Sequence, residues 1–518
     1  MKLIFFQLSQ LERYQNIKIE FHRPKVKNES LNLSKLKHEK GGCANYVSIL
    51  RDPSTKKIHL YYANNTSVPF HAKTCLAISD DGITFTKPDL QIIKPGPKDK
   101  IDKINNVLLS EGCFSNNMNT FLDPNAPPNE RYKAVGGLHI SAWYVNELGT
   151  EEDKQTVKNS KVINLKPLLN LKTPNDIYSL PHPAFIRRKK AIGRKQKSND
   201  DNTTMFYYLD PTQPDPEFKG NGISLYVSSD GIKWTPKFKL PIISGMLEGH
   251  YDKLYFCSHY DCHPSCFYDK FKKEYIIYLR SNVDYGVRHV QYSTSPNLID
   301  WSPLKFVSFK PTFDLAGDNY YSMDAMPYPG SKSPLYIAFP PYYKNKTKSS
   351  KNSFIGLAFS EDAYSWKICD QMITPELVPR EKISSFAVYG LILSNDQREF
   401  YFYEHRYRSK IIKGKDPVIM RYAIRRDGFT SISAGKETGY FQTKLINFPK
   451  TFFINFETES GGYINIELLD QDQEVFQSKE KIKGDYLNYE VSLLDIPDVK
   501  KGYLRITLKK ARVFALDL

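Results

Sequence analysis

The sequence predicts an all-β protein, a five-bladed β-propeller followed by a C-terminal β-sandwich. Three observations support this fold class: a short turn motif recurs five times, three β-like runs precede each copy, and the pattern changes after about residue 435. The chain has 518 residues, of which 14% are aromatic. This length allows more than one domain, and the composition is typical of a folded protein rich in strands.

The recurring turn carries an Asp-Gly pair in three of its five copies. Glycine accepts the positive φ that a tight turn between twisted strands requires, so Asp-Gly is a strong hairpin signal. Copies lie about 60–70 residues apart, except that a surplus near residues 140–220 indicates an insertion in blade two. The copies read SDDGITF (79–85), SSDGIKW (228–234), STSPNLIDW (293–301), SEDAYSW (360–366) and RRDGF (425–429).

Each turn follows three β-like runs, and a last strand after the turn completes four antiparallel strands, which is one propeller blade. The innermost runs start with NYVSIL, NTFLDP, DCHPSCFYD, YSMDAMPY and SSFAVYGL. After the last turn, alternating strands without the blade motif predict a separate sandwich. The expected organisation is an N-terminal strand or extension at 1–39, a propeller at 40–435 and a sandwich at 436–518.

The formal net charge of +16 is spread over a long chain and is a weak indication of an anionic partner. The densest basic run, residues 187–197, has no interleaved aromatic residues, so a nucleic-acid partner is not predicted.

The N-terminal apolar stretch is too short for a signal peptide or a membrane span. Seven cysteines without close pairs favour reduced thiols and an intracellular site of folding, while compartment and oligomeric state remain undecided.

Three segments, together with the Asp-Gly-x-x-aromatic turn, make the chain resemble a known family. These segments are FLDPNAPPNERYKAVGG from Phe121, DCHPSCFYDKFKKEYIIYLR from Asp261 and RRDGFTSISAGKETGYFQTKLINF from Arg425. Over roughly residues 40–518 the chain resembles proteins of the glycoside hydrolase family 32 type. That resemblance implies a five-bladed propeller with a C-terminal sandwich and an activity on glycosidic bonds.

The resemblance also implies where catalytic carboxylates are expected. Family 32 enzymes take a nucleophile from blade one, an Asp in an Arg-Asp-Pro motif from blade two and a Glu acid/base from blade three. Asp123 matches the second position, with Leu122 in place of the arginine, and Asp261 is the carboxylate nearest the third. The first position departs from the pattern, because the residues from Cys43 to Tyr46 include no carboxylate.

Carboxylates at the start of innermost strands line the funnel of a propeller, and glycoside cleavage needs two of them. Their separation is about 5–5.5 Å in retaining enzymes and about 6.5–9.5 Å in inverting ones. Aromatic faces and planar hydrogen-bonding groups supply sugar contacts. The predicted catalytic candidates are Asp123, Asp261, Asp324 and Glu404, and the predicted substrate-binding residues are Tyr46, Glu248, His263, Arg280 and Tyr321.

A cluster of cysteine and histidine side chains between residues 257 and 266 offers the ligand types that zinc prefers, but its spacing matches no standard zinc pattern. We therefore predict neither a metal nor another cofactor.

The leading hypothesis is a glycoside hydrolase-like protein acting on an oligo- or polysaccharide in the funnel, with Asp123 and Asp261 as the central carboxylates. The missing blade-one carboxylate favours an inverting route, and it equally motivates an alternative, a glycan-binding propeller that has lost its catalytic set. A third hypothesis is an interaction scaffold that uses the basic insertion.

The short connection 430–438 predicts that the sandwich docks on the propeller.

Overall fold

The computed structural model describes most of the two regions that the sequence predicts. The described residues are 1–39, 46–64, 72–94, 101, 103–110, 114–137, 222–238, 242–244, 262–284, 287–302, 304–310, 318–344, 353–370, 373, 383–408, 417–470, 473–478, 480–493 and 501–518. The predicted insertion at 140–220 and its basic run lie outside these residues.

Five sheets follow one another along the chain, and each places the run predicted to be innermost at one edge, which confirms the five-bladed propeller. Blade one contains Val47–Arg51, Ile58–Asn64, Lys73–Ser79 and Val107–Leu109. Blade two contains Asn119–Leu122, Tyr132–Gly136, Gly222–Ser228, Thr235–Pro236 and Ile243–Ser244. Blade three contains Ser265–Asp269, Glu274–Asp284, Val287–Ser295 and Lys305–Phe306.

Blade four is extended at its inner end by a small additional sheet. Its main sheet contains Ser308–Lys310, Ala325–Pro327, Tyr336–Ala338, Leu357–Ser360 and Ser365–Asp370, and the additional sheet contains Asp318–Tyr320, Pro341–Lys344 and Ser353–Ile355. Blade five contains Lys25–Asn32, Ile383–Ala387, Ile392–Leu393, Glu399–Arg408 and Val418–Arg425. The described helices are single 3-10 turns at Leu8–Gln10, Lys37–Glu39, Phe114–Asn116 and Pro128–Glu130, and none is long and apolar enough to cross a membrane.

The outer strand of blade five comes from the N-terminal part of the chain, which corrects two expectations. Lys25–Asn32 pairs antiparallel with Val418–Arg425, so a boundary at residue 40 wrongly separates this strand from the propeller. The strand that follows the fifth turn, Thr430–Ala434, instead pairs with the C-terminal strand Lys501–Asp517. Because the last blade is completed from the other end of the chain, the ring is closed by strand pairing.

Each blade turn is held by the residues of the recurring motif. In the first copy the Ser79 hydroxyl accepts hydrogen bonds from the Asp81 and Gly82 amides, and Gly82 has a φ of +80°. In blades three and four, Leu298 and Ala363 adopt a φ of +65° at the position where other copies carry glycine. The motif therefore specifies a left-handed residue, for which glycine is the least strained choice but not a requirement.

Buried tyrosines on the second strands connect three of the five turns to a neighbouring blade. Tyr61 of blade one donates to the Gly231 carbonyl of blade two (2.9 Å), and Tyr278 of blade three donates to the Ala363 carbonyl of blade four (2.6 Å). Tyr403 of blade five donates to the Gly82 carbonyl of blade one (2.7 Å), across the closure of the ring. These bonds satisfy hydroxyls that would be costly to bury unpaired.

The C-terminal region forms a ten-stranded sheet that also recruits the start of the chain. Its apolar cluster includes Phe441, Phe452, Leu504, Ile506 and Leu508. The β-sandwich packing of this region stays a prediction. Its strands are Lys2–Leu3, Leu11–Gln15, Lys18–Phe21, Thr430–Ala434, Gly439–Thr443, Ile446–Asn447, Thr451–Asp470, Gln473–Gln477, Asp485–Ser492 and Lys501–Asp517.

The C-terminal sheet contacts the propeller through polar bonds from blade five, as the short connection predicted. Arg425 donates to Asn455 (2.8 Å) and forms an ion pair with Asp485, while Arg426 donates to Asn488 (2.6 Å). Of the aromatic residues predicted at this interface, Phe441 and Phe452 belong to the core of the sheet. The prediction that the two regions unfold together stays a prediction.

Candidate functional site

Side chains in or beside the innermost strands of all five blades meet in one central cluster. Blade one touches blade two through the Ser48 and Thr120 hydroxyls (2.8 Å). Blade one also touches blade four, where the hydroxyls of Tyr46 and Tyr321 lie 2.9 Å apart, and Tyr321 packs edge-on against Phe386 of blade five. The innermost strands therefore converge on this cluster, as a propeller funnel requires.

His263 is the side chain that connects most of this cluster. Its ring stacks on Tyr46 at a centroid distance of 5.9 Å and lies edge-on to Tyr389 of blade five at 6.1 Å. Its Nε2 lies 3.3 Å from the Asn119 amide nitrogen of blade two, and its Nδ1 lies 3.0 Å from Asp324 Oδ1 of blade four. One imidazole thus joins residues from four other blades.

Asp324 is a buried carboxylate with an unusual backbone conformation. Its side chain is 1% exposed, and its φ of +47° lies in the left-handed region, which an aspartate adopts far less often than a glycine does. The Ser322 hydroxyl donates to Oδ2 (3.0 Å), and His263 contacts Oδ1. Burial raises the pKa of the Asp324 carboxyl, while its bonds to His263 and Ser322 oppose that shift.

Asn119 determines which proton arrangement the imidazole can adopt. Its amide nitrogen faces His263 Nε2, and its buried Oδ1 has no hydrogen-bond partner among the described residues. This orientation fits an imidazole that carries its proton on Nδ1 and donates it towards Asp324.

Arg280 and Tyr321, both predicted to bind substrate, contact each other beside this pair. The Arg280 guanidinium lies over the Tyr321 ring at 4.8 Å from its centroid, and the Arg280 backbone amide donates to Cys262 Sγ (3.3 Å). Cationic and aromatic side chains therefore lie next to the only carboxylate that the described residues place in this cluster. The structure brings together four predicted substrate-binding residues, Tyr46, His263, Arg280 and Tyr321, around one predicted catalytic residue, Asp324.

The structure does not bring Asp123 to the funnel, contrary to expectation. Asp123 follows the innermost strand of blade two, which starts at Asn119, and a strand rise of ~3.3 Å per residue separates the two by roughly 13 Å. Asp123 accepts a hydrogen bond from Tyr275 of the next blade (2.7 Å) and lies 3.5 Å from Lys133 Nζ. It also caps its own turn by accepting from the Asn125 amide (2.9 Å).

Equivalent aspartates in the neighbouring blades show why a carboxylate occupies this turn. Asp269 of blade three caps the Phe271 amide (2.9 Å) and accepts from the Tyr336 hydroxyl of blade four. Asp52 of blade one caps the Ser54 amide (2.6 Å), and burial together with this carboxylate raises the pKa of Tyr132 in blade two. The aspartate is thus a repeated link between blades, which physically explains its presence in the Asp-Pro motif.

Glu404 is buried in blade five within a polar group of its own. Its carboxylate accepts from Arg406 Nε (2.8 Å) and from the Tyr422 hydroxyl. The described contacts do not join it to His263 or Asp324, so Glu404 is not part of the central cluster. Asp261 and Glu248 lie outside the described residues.

The cysteine and histidine cluster does not form a joint site in the described residues. Cys262 and Cys266 are buried and not in disulfides, and His263 is paired with Asp324 instead. Burial raises the pKa of the Cys266 thiol well above its ordinary value. The described part of the chain contains no group of three or more potential metal ligands.

Sequence reasoning missed Asn119, Ser322 and Phe386. A signal for Asn119 was available, because it is the first residue of NTFLDP and therefore occupies the funnel end of that strand. The Asp-Pro pair of the same segment, Asp123-Pro124, lies at the opposite end of this strand.

Comparisons with known proteins found similar solved structures. No family model matches it, and no curated protein matches it. A family 32 β-fructofuranosidase from Bombyx mori is similar in structure at 11% identity and a TM-score of 0.38, covering 96% of this chain and 94% of that one. A glycosyl hydrolase from Bacteroides ovatus is similar at 12% identity and a TM-score of 0.39, covering 78% and 93%.

An endo-arabinase from Bacteroides thetaiotaomicron is similar at 12% identity and a TM-score of 0.37, covering 77% of this chain and 98% of that one. These similar structures are glycoside hydrolases, and a family 32 enzyme is among them, as the sequence resemblance led us to expect.

Proposed function

We propose that the protein is a glycoside hydrolase-like protein that acts on a glycan at the centre of the propeller, with Asp324 as one carboxyl group of its reactive pair. The observation that carries this proposal is the buried Asp324–His263 contact of 3.0 Å at the convergence of the blades. The Tyr46 ring stacks on His263 and its hydroxyl contacts that of Tyr321, and aromatic rings of this kind are common in sites that bind sugars.

Asp324 fits the role of general acid better than that of nucleophile. A general acid must hold its proton near neutral pH, and burial shifts the Asp324 pKa in that direction. His263, whose Nδ1 lies 3.0 Å from Asp324 Oδ1, stabilises the ionised form that remains after the proton has been donated. The left-handed backbone of Asp324 supports a functional reading, since strained conformations concentrate at functional sites.

The second carboxylate of the proposal is Asp261, predicted from the sequence and two residues before His263 in the chain. In this pairing Asp324 replaces Asp123, and the inverting route is retained, with Asp261 as the base that activates water. Tyr46, His263, Arg280 and Tyr321 are proposed to bind the sugar.

A hydrolysis screen over oligo- and polysaccharides tests the proposal. For any glycan that is cleaved, Asp324→Asn and Asp261→Asn should each lower kcat by about 10²–10⁴-fold. Asp396→Asn is a matched control, because Asp396 is an exposed aspartate in a turn of blade five. Full activity of Asp324→Asn would exclude Asp324 from the reaction.

A second candidate function is glycan binding without hydrolysis. One observation favours it: Asp324 is the only carboxylate that the described residues place in the central cluster, whereas cleavage needs two. A glycan array separates the candidates. Binding that Tyr321→Ala weakens, without hydrolysis of any bound glycan, would favour the binding protein.

A further inference from the structure

A crevice of about 360 Å³ lies between the propeller and the C-terminal sheet. The propeller contributes the turn at Gly330 and residues of blade five, and the C-terminal sheet contributes Phe453, Asn488 and Asp517. Its volume falls at the lower end of the range of ~300–1,000 Å³ usual for small-molecule sites. Such sites occur preferentially where domains meet.

This crevice is separate from the central cluster. Gly330 follows the innermost strand of blade four, Ala325–Pro327, whereas Asp324 precedes that strand. Asp427, which also lines the crevice, follows the third strand of blade five at the turn that carries the blade motif. The crevice therefore opens near the ends of strands that are opposite to the funnel.

The charged groups of the crevice balance one another. Lys2 Nζ lies 2.7 Å from Asp427 and 4.0 Å from Asp517, and Arg426 Nε lies 3.8 Å from Asp427. Two cations and two carboxylates leave no net charge for an ionic ligand to neutralise. An anion would meet the two carboxylates, and a cation would meet Lys2 and Arg426, so an uncharged ligand with both donors and acceptors fits best.

Two further features narrow the class of ligand. Phe453 is 37% exposed and presents part of an aromatic ring at the crevice, which the buried Phe400 also lines. Asn488 also lines the crevice, and its exposed side chain carries amide donors. A sugar combines an apolar C–H face with hydroxyls that donate to carboxylates and accept from amide groups.

We propose that this crevice is a second, non-catalytic binding site for a neutral saccharide, formed jointly by the propeller and the C-terminal sheet. The sugar packs on Phe453, donates hydroxyl hydrogen bonds to Asp517 and accepts from the Asn488 amide. The proposal goes beyond the function assigned to the funnel, because it requires no bond cleavage and shares no residue with the central cluster.

Ligand-observed NMR titrations of the full chain test this site with glucose, galactose, arabinose and fructose, and with glucuronate as an anionic counterpart. For a neutral sugar that binds, Phe453→Ala should raise Kd at least fivefold, and Asp517→Asn should raise it as well. Tyr14→Ala is the matched control, since Tyr14 is an exposed aromatic of the same sheet that does not line the crevice. It should leave Kd unchanged.

Three outcomes would overturn the proposal: binding of none of the four neutral sugars, an identical Kd for Phe453→Ala and the unmodified chain, or a preference for glucuronate over every neutral sugar. Because the readout is binding, absence of hydrolysis in the funnel would not affect the result. Thermal unfolding of each variant identifies any that fails to fold, and Asp517→Asn, at a side chain 39% exposed, provides the second test.

Discussion

Asp123 and Asp324 are buried aspartates at opposite ends of the innermost strands, and their surroundings differ in kind. Asp123 caps its own turn and binds Tyr275 of the next blade, and Asp269 repeats both contacts one blade later. Asp324 instead faces a titratable side chain, His263, at the convergence of the blades. In a repeat protein, a contact that recurs in each unit supports the fold, whereas one made in a single unit is a candidate for function.

The largest expected effect is on kcat, and it distinguishes Asp324 from Asp123. Asp324→Asn should lower kcat by about 10²–10⁴-fold on a cleaved glycan, because the amide cannot donate a proton to the leaving group. Asp123→Asn should leave the activity per folded molecule unchanged. Equal losses in the two variants, measured on samples matched for folded protein by circular dichroism, would remove the distinction.

The second prediction concerns the contribution of Asp123 to the free energy of unfolding. Asp123→Ala should lower the free energy of unfolding by about 3 kcal/mol, since it leaves Lys133 and the Tyr275 hydroxyl buried without this partner. Urea denaturation measures the change, with Asp80→Ala as the control, because the Asp80 side chain is 85% exposed and less than about 0.5 kcal/mol is expected. A loss for Asp123→Ala no larger than that of the control would contradict the structural role.

The third prediction concerns the pH dependence of stability that His405 contributes. Unlike Asp123, this buried side chain has no hydrogen-bond partner among the described residues. His405 of blade five is buried, both its ring nitrogens lack hydrogen-bond partners among the described residues, and burial lowers its pKa from 6.5 to about 3. Because the unfolded chain binds a proton that the folded chain excludes, stability falls as pH drops below 6.5. Between pH 7 and pH 5 this group alone costs about 2 kcal/mol.

His405→Leu should remove that pH-dependent contribution. The variant should lose less stability than the unmodified chain on acidification from pH 7 to pH 5, as measured by urea denaturation at each pH. Parallel pH profiles of the two proteins would show that His405 is not the buried group responsible.

The smallest effect concerns the pH dependence that Asp324 itself contributes. Its pKa is raised in the folded state, so its contribution to stability is present in acid and is lost as pH rises through that pKa. Asp324→Asn should therefore gain stability relative to the unmodified chain between pH 4 and pH 7. A relative loss over this range would mean that the folded state favours the ionised carboxylate.

Most of the propeller could be predicted from local patterns, whereas the candidate site could be predicted only in part. Alternating apolar runs and Asp-Gly turns are properties of short segments, so a single sequence is enough to recognise them. Tyr46, His263 and Tyr321 were predicted at or near the start of innermost runs, and Arg280 was predicted at the end of the second run of blade three. Asp123 was misplaced because its Asp-Pro motif matched a family pattern, while its actual contacts are with Tyr275 and Lys133 of other strands.

The sequence by itself determined the number of blades and the turn that ends each third strand, because these follow from the spacing of residues along the chain. Tertiary structure alone decided that Lys25–Asn32 completes blade five and that Asp324, rather than Asp123, meets His263. Both outcomes depend on which distant segments pair when the ring closes, and this long-range pairing leaves no trace in local periodicity.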